Sequence, residues 1–156
     1  MTSDEKFMKE AIKEAKKAYD LKECPIGCVI VYNGKIIARG HNKKLTRNNA
    51  LLHAEMIAIE KASKKLNTWH LDGCDMYVTL EPCTMCAGAI IQSRIQNVYF
   101  GAFDPKGGSL VSCNNLFDKK YGHNHIPNQK GGISENECSA LLKSFFKELR
   151  AEKKKI

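Results

Sequence analysis

The spacing of hydrophobic residues predicts a helix at the start of the chain. Over residues 2–20, Phe7, Ala11 and further apolar residues recur on one face of a helical projection. Thr2 and Glu5 stand three residues apart, which is the spacing of a capping box and predicts that the helix begins at this point.

A β-hairpin is predicted directly after this helix. Two apolar runs that favour extended structure, 26–32 and 36–40, flank Asn33-Gly34. The Asn-Gly pair favours a type I′ turn, whose twist matches that of paired antiparallel strands. A polar stretch at 41–49 follows the hairpin, and we interpret it as a loop.

The middle of the chain alternates between helical and extended patterns. The predicted elements, in chain order, are a helix at 53–66, a strand at 76–80, a helix at 83–93 and a strand at 98–102. A strand, a helix and a strand joined by short connections form a right-handed crossover whose two strands are parallel. Together with the hairpin, this crossover predicts an α/β fold with a mixed sheet and helices on both faces.

The last third of the chain has a weaker pattern until its final helix. Residues 104–133 are rich in glycine, asparagine and lysine and show no periodicity. A final helix is predicted over about 135–153, and Ser134 and Glu137 repeat the capping-box spacing at its start. Because we detect no internal repeat or linker, we expect residues 1–156 to form a single domain.

The composition is that of a globular domain. Of the 156 residues, 43% are hydrophobic and 27% are charged, which excludes an intrinsically disordered chain. The formal net charge of +8 suits a polyanionic partner, but a lysine-rich surface that keeps the protein in solution would explain it equally well. The N-terminus is acidic and no long apolar run follows, so we expect a cytoplasmic protein without a signal peptide or membrane span.

The cysteine content favours metal binding over a disulfide framework. Seven cysteines are an odd number, and disulfides are rare in the cytoplasm. We expect five of them to be small buried side chains: Cys24, Cys28, Cys74, Cys113 and Cys138. The single tryptophan, Trp69, is likewise interpreted as a packing residue.

Two short motifs carry the chemistry of a zinc site. His53 and Glu55 begin the second predicted helix, whereas Cys83 and Cys86 begin the third. One imidazole and two thiolates are good zinc ligands, and a site with three protein ligands keeps a position for water, as catalytic zinc sites do. Glu55 then has the right chemistry for a general base. Both helices are predicted to start at the same edge of the sheet, so we expect these side chains to meet there.

Each motif is weak by itself, but the pair is specific. C-x-x-C also occurs in redox sites and in structural zinc sites, and a histidine two residues from a glutamate is common on helix surfaces. No second C-x-x-C is present to close a four-ligand site, and a zinc-stabilised binding module would leave Glu55 without a role. Together the motifs match the H-x-E and P-C-x-x-C signature of zinc deaminases that act on nucleobases.

Around these motifs, the chain resembles the bacterial tRNA-specific adenosine deaminases of the cytidine-deaminase-like superfamily over nearly its whole length. The segments that carry the resemblance are Pro25-Ile26-Gly27, Ala38 to Asn42, His53-Ala54-Glu55, Tyr77 to Ile90, Ser93-Arg94-Ile95, Phe100-Gly101-Ala102, Asp104-Pro105-Lys106, Asn124-His125 and Phe145-Phe146. The zinc motif is common to the superfamily, whereas the segment from Ala102 to Lys106, Asn124-His125 and the double phenylalanine are more specific to the tRNA enzymes.

The resemblance implies a three-layer α/β/α sandwich with a central mixed five-stranded sheet, a homodimer and one catalytic zinc per chain. It implies conversion of the wobble adenosine of a tRNA to inosine, with the anticodon loop as the partner. By motif, His53, Cys83 and Cys86 would bind zinc and Glu55 would shuttle protons. The substrate contacts that it implies are Asn42, Ala54, Asp104, Lys106, Asn124, His125 and Phe145.

Two positions depart from the family pattern, and both lie in loops expected near the substrate. Leu51-Leu52 precede the motif histidine where relatives carry a small residue, and Val111 stands where they carry a glycine. A deaminase of a free nucleobase or nucleoside, of guanine or cytosine type, is therefore the alternative. A basic stripe on the last helix favours RNA over a free base. It consists of Lys143, Lys147 and Arg150, followed by the tail Lys153 to Lys155.

Overall fold

The computed structural model of this protein describes residues 1–154, so Lys155 of the basic tail lies outside the described residues. Within them, the helices are α1 (Ser3–Asp20), α2 (Ala54–Leu66), α3 (Thr84–Gln92) and α4 (Glu135–Lys153), with a 3-10 turn at Lys119–Tyr121. The strands are β1 (Gly27–Tyr32), β2 (Lys35–His41), β3 (Cys74–Leu80), β4 (Asn97–Ala102) and β5 (Asn128–Lys130). No helix in this part of the chain is long and apolar enough to cross a membrane.

The five strands form one mixed sheet in the order β2-β1-β3-β4-β5. β1 is antiparallel to β2 and β3, whereas β4 is parallel to both β3 and β5. This confirms the predicted hairpin, the crossover and the mixed sheet. Side chains alternate along β1, with Cys28 and Ile30 in the core on one face and Val29 and Val31 in the core on the other.

Different helices cover the two faces of the sheet, which confirms the three-layer α/β/α sandwich. α2 and α3 pack on one face, where Ala58 and Ile90 join a core that includes Phe100. α1 and α4 pack on the other face, where Ile12 and Cys138 belong to a second, smaller core. The sheet therefore lies between two apolar cores, one on each face.

Local sequence signals correctly predicted the start of α1 and the turn between β1 and β2. The hydroxyl of Thr2 accepts the backbone N–H of Glu5 at 3.1 Å, so the first capping interaction is present. Asn33 and Gly34 have φ angles of 51° and 75°. Positive φ at both central positions is what a type I′ turn requires.

The second predicted capping box is wrong. Ser134 has a φ angle of 53°, and its side chain makes no capping hydrogen bond. The N–H groups of Gly132 and Ile133 donate to carbonyls of β4, so the segment before α4 is tied to the sheet. This tether holds Ser134 in a left-handed conformation, whereas capping by a side chain needs an extended backbone at that residue.

Three further expectations from residue type need correction. Trp69 is 59% exposed and stacks on His70 with ring centroids 3.6 Å apart, so it is not a core residue. Cys113 is exposed and Cys24 is only partly buried. The remaining three cysteines outside the motifs are buried as expected, and all seven are free thiols.

Gly40 on β2 allows α2 to pack closely against the sheet. We predict that Gly40→Ala destabilises the protein by about 1–3 kcal/mol, the usual cost of overpacking. A β-carbon at Gly40 would lie 2.5 Å from the carbonyl oxygen of Ala54 and 3.0 Å from the amide nitrogen of Ala58. The free energy of unfolding, measured by urea denaturation, tests this.

Gly88→Ala in α3 is the matched control. A β-carbon at Gly88 meets no heavy atom within 4 Å, and alanine is favoured over glycine in a helix by about 1 kcal/mol. The stability of this variant should equal or exceed that of the wild type. A Gly40→Ala protein with unchanged stability would show that α2 can move away from the sheet at no cost.

Candidate active site

The predicted metal ligands lie at the starts of two helices that meet at one edge of the sheet. His53 is the N-cap residue of α2 and Cys83 is the N-cap residue of α3, one position before the first helical turn in which they were predicted. Cys86 follows in the first turn of α3. Neither N-cap side chain makes a capping hydrogen bond, so both remain available to a ligand.

The donor atoms have the spacing of a zinc site. Nδ1 of His53 lies 3.7 Å from Sγ of Cys83 and 3.6 Å from Sγ of Cys86. All three donor atoms lie within 4.8 Å of one another. With the usual zinc–nitrogen and zinc–sulfur bond lengths, tetrahedral coordination places nitrogen and sulfur about 3.6 Å apart. The residues therefore fit a zinc ion in both chemistry and geometry.

The two thiols differ in how readily they lose a proton. A hydrogen bond from Cys86, assisted by one from the His53 ring, lowers the pKa of the Cys83 thiol to about 4 although burial opposes this. The same hydrogen bond raises the pKa of Cys86, which donates its proton to Cys83. The pair therefore shares one proton that a bound cation would displace. The positive ends of two helix dipoles also favour the thiolate form at this place.

Glu55 lies in the first turn of α2, next to this triad, and is only 4% exposed. Burial raises the pKa of its carboxyl to about 7, because the charged form is poorly solvated there. The Cys83 thiolate acts in the same direction as burial, whereas the backbone N–H of Glu55 and the His53 ring act to lower this pKa. A pKa near neutrality suits a group that takes up and releases protons in turn.

The triad opens into a cavity of about 860 Å³, at the upper end of the range for small-molecule sites. Its acidic lining residues are largely buried, whereas its basic lining residues are exposed. The acidic ones are Glu23, Glu55, Glu81 and Asp104. The basic ones are Lys22, Lys44, Lys106, Lys143 and Arg150. An anionic ligand at the mouth would therefore meet positive charge before it reaches the metal ligands.

Four of the predicted substrate contacts lie in this cavity: Asn42, Asp104, Lys106 and Phe145. The amide oxygen of Asn42 accepts the N–H of Lys44 at 3.1 Å, which leaves its NH₂ group as a donor. Asp104 accepts the N–H groups of Lys106 and Gly107 and so shapes its own loop. Phe145 is 8% exposed and meets Tyr19 edge to face, with ring centroids 5.6 Å apart.

The other three predicted contacts lie elsewhere in the described residues. Ala54 is the first residue of α2, is fully buried and does not line the cavity. His125 donates from Nε2 to the carbonyl of Ile95 at 2.7 Å, beyond the far end of α3. Asn124 lines a second, polar cavity of about 220 Å³ together with Arg94 and His123. The length of α3, roughly 13 Å, separates these residues from the triad.

Only part of the basic stripe on α4 reaches the cavity. Lys143 and Arg150 line it, beside Phe146 and Leu142. Lys147 is exposed but lies outside the lining. The helix thus presents to the cavity one strip of alternating basic and apolar side chains.

Among the lining residues that were not predicted from the sequence are two acidic ones, Glu23 and Glu81, whose side chains are almost completely buried. Glu81 accepts hydrogen bonds from four backbone N–H groups and one hydroxyl in the loop after β4. Burial acts to raise the pKa of Glu81, but these hydrogen bonds outweigh it and lower that pKa. The available signal was an acidic residue at the end of an apolar strand, directly before a metal-binding motif.

Comparison with known proteins identifies a family. Residues 1–102 match the family described as the cytidine and deoxycytidylate deaminase zinc-binding region. The chain is 53% identical over 154 residues to the tRNA-specific adenosine deaminase of Bacillus subtilis strain 168, covering 99% of this chain and 95% of the relative.

Solved structures agree with this assignment. One, from work on A-to-I editing by tRNA:A34 deaminases at the wobble position of transfer RNA, has a TM-score of 0.84 and 43% identity, covering 87% of this chain and 98% of the other. The guanine deaminase of Bacillus subtilis has a TM-score of 0.63 and 37% identity, covering 74% of each chain. The region that matches the family, residues 1–102, holds the triad and Glu55. The chain therefore belongs to the tRNA-specific adenosine deaminases, a family of zinc-dependent deaminases.

Proposed function

We propose that this protein hydrolyses the wobble adenosine of a tRNA anticodon to inosine and ammonia, with one zinc ion held by His53, Cys83 and Cys86. The observation that carries the proposal is the position of His53, Cys83 and Glu55 in the lining of a cavity with an exposed basic rim. A free base would need only the inner part of this cavity, whereas an anticodon loop also brings phosphates to the rim.

The chemistry requires a nucleophilic water and a group that moves protons. When bound at the triad, zinc supplies a Lewis acid that makes water nucleophilic at neutral pH. Glu55 removes a proton from the water that attacks C6 of the adenine and delivers it to N1. It then transfers the second proton to the departing amine, so that water is consumed and ammonia is released. Burial of Glu55 keeps bulk solvent away from these transfers.

The cavity also suits a base that has left its stack. Anticodon loops are single-stranded and partly unstacked, so the cost of turning one base toward the metal is small. Aromatic side chains near the mouth provide surfaces on which neighbouring bases can stack: Phe103 and Phe146, both partly exposed. We assign the recognition of the target base to the free NH₂ group of Asn42.

Deamination of free guanine is the second candidate, favoured by the 37% identity to a guanine deaminase. The exposed lysines on the rim argue for the RNA substrate, because a free base carries no phosphate for them to neutralise. Incubation of the pure protein with total tRNA and, separately, with guanine, cytosine and their nucleosides tests both candidates. We expect inosine in the tRNA by mass spectrometry, and faster turnover of a free base than of tRNA would establish the alternative.

The proposal also includes a single deaminase domain over residues 1–156 and a cytoplasmic location, both inferred from the sequence pattern. Assembly as a homodimer and contacts of Ala54, Asn124 and His125 with RNA are inferred from the family resemblance. Asn124 and His125 lie far from the triad of the same chain, so any RNA contact they make lies outside the cavity described above.

Substitutions should distinguish the role of the metal ligands, which is to retain zinc, from the role of Glu55, which is to transfer protons. Cys83→Ala combined with Cys86→Ala should abolish zinc retention, because two of the three ligands are removed. Glu55→Ala should retain zinc but lose at least about 100-fold in kcat, the contribution typical of a general acid–base group. Elemental analysis and a deamination assay on an anticodon stem-loop measure the two properties.

Cys113→Ala serves as the control for both variants, because Cys113 is an exposed thiol outside the triad. It should keep zinc and a wild-type kcat. Because its thiol donates to the carbonyl of Pro105 in the loop of Asp104 and Lys106, kcat is measured at a saturating concentration of the stem-loop. Loss of zinc from Glu55→Ala would instead make Glu55 a ligand, and full zinc retention by the double cysteine variant would rule out this triad as the metal site.

The basic side chains of α4 that line the cavity should contribute phosphate contacts. Lys143→Gln with Arg150→Gln should weaken binding to an anticodon stem-loop and lower the slope of log affinity against log salt by about 0.7 per lost contact. Filter binding at several salt concentrations measures this slope.

The matched control changes two other charges on the same helix, Lys147→Gln with Lys153→Gln. Because Lys147 and Lys153 do not line the cavity, this pair should affect affinity and salt slope less than the first pair. Equal effects of the two pairs would show that α4 contributes only general charge.

A further inference from the structure

Glu81 is bound by the loop that follows β4. Its Oε2 atom accepts the N–H groups of Leu110, Val111 and Ser112 at distances of 3.1, 2.7 and 2.9 Å. Its Oε1 atom accepts the N–H of Asp104 at 3.1 Å and the hydroxyl of Ser112. One carboxylate therefore binds both ends of this loop, which is also tied in between, where the N–H of Ser109 donates to the carbonyl of Pro82 and its hydroxyl bonds that of Thr84.

Glu23 is bound in the same way by the loop that follows β2, on the other side of the cavity. Its two carboxylate oxygens accept the N–H groups of Leu45 and Thr46, and its side chain is 1% exposed. Lys43 also donates its N–H to the carbonyl of Leu52, which closes this loop on itself. Both loops that border the cavity are thus held by a buried acidic side chain.

Neither carboxylate is neutralised by a basic side chain. Among residues 1–154, the acidic residues found in ion pairs are Glu10, Glu14, Glu60, Asp72 and Glu152, and neither Glu23 nor Glu81 is among them. A buried charge is costly unless its hydrogen-bonding capacity is met, and converging backbone N–H groups meet it here. Such an arrangement holds the backbone in one conformation, because each N–H group that turns away deprives the buried carboxylate of a hydrogen bond.

The two loops carry much of the cavity mouth. The loop after β4 places Phe103, Asp104 and Lys106 in the lining, and the loop after β2 places Lys44 and Leu45 there. Leu45 is 71% exposed, so packing does not hold it in place. The backbone hydrogen bonds to the two carboxylates therefore contribute to the position of these side chains.

We propose that Glu23 and Glu81 are positioning residues that hold the two loops in the conformation that receives the RNA. They do not touch the reacting atoms; they fix the backbone that presents the contacts. This inference rests on the proposed function, because it names the elements through which the same site takes its RNA substrate.

Gly108 provides an independent way to disturb Glu81. A β-carbon at Gly108 would overlap the carboxylate group of Glu81, and the backbone of Gly108 does not require glycine for its conformation. Gly108→Ala should therefore displace the carboxylate without removing its charge. Ser112→Ala removes only the hydroxyl donor, and it should act in the same direction but more weakly.

The experiment compares Glu81→Gln, Glu23→Gln and Gly108→Ala with the wild-type zinc-loaded protein. Hydrogen–deuterium exchange should become faster at residues 110–112 in the first and third variants, and at residues 45–46 in the second. The KM for an anticodon stem-loop should rise about tenfold or more, since small misplacements of binding groups are costly. The kcat value should change less, because the loops contact RNA beyond the reacting base.

Glu14→Gln is the matched control, because Glu14 is also a buried carboxylate but lies on α1, where it contacts the basic side chains of Lys17, Arg39 and His41 and, within the described residues, no loop N–H group. It should alter neither loop exchange nor KM at a temperature where it is folded. Wild-type KM in the Glu81 and Glu23 variants despite faster loop exchange would overturn the proposal. Loss of zinc from Glu81→Gln would also overturn it for that residue, because Glu81 would then support the metal ligands.

The proposed function can fail separately from this inference. Should the wild-type protein leave the stem-loop unmodified while it deaminates a free base, the RNA substrate is wrong. The exchange rates would still show whether the carboxylates hold the loops, because they are measured without RNA.

Discussion

The site depends on two helix N-termini that meet at one edge of the sheet and lack a side-chain cap. Serine, threonine, aspartate or asparagine at an N-cap position stabilises a helix by about 0.5–2 kcal/mol relative to alanine. His53 and Cys83 occupy these positions without making the capping hydrogen bond. The two helices thus lack an ordinary source of stability where the ligands lie, and metal binding there also contributes to folding.

Close packing against the sheet is what allows the two helix starts to come together. α2 approaches β2 at Gly40, where no side chain separates the strand from the helix backbone. α3 is placed by the parallel crossover between β3 and β4, which directs the helix back across the same face. The spacing of His53, Cys83 and Cys86 is therefore a property of the whole layer and not of either motif.

Features with a local cause could be predicted from the sequence, whereas features set by tertiary contacts could not. The helices, the Asn33-Gly34 turn and the zinc triad follow from periodicity and from residue chemistry at short spacing. Ser134 failed as a cap because hydrogen bonds to β4 set its backbone. β5, at 128–130, could not be found because it is a short polar strand at the edge of the sheet. The role of Glu81 could not be predicted for a related reason, because its hydrogen-bond donors are mostly backbone N–H groups, whose positions do not follow from the residue types.

The way Glu81 holds its loop has an evolutionary consequence. Four of its five hydrogen-bond donors are main-chain N–H groups, which every residue except proline supplies. The side chain of Val111, which is 51% exposed, takes no part in this arrangement. The loop can therefore exchange side chains at such positions while its path stays the same. Side chains that meet a ligand can thus change on a backbone whose course the buried carboxylate already fixes.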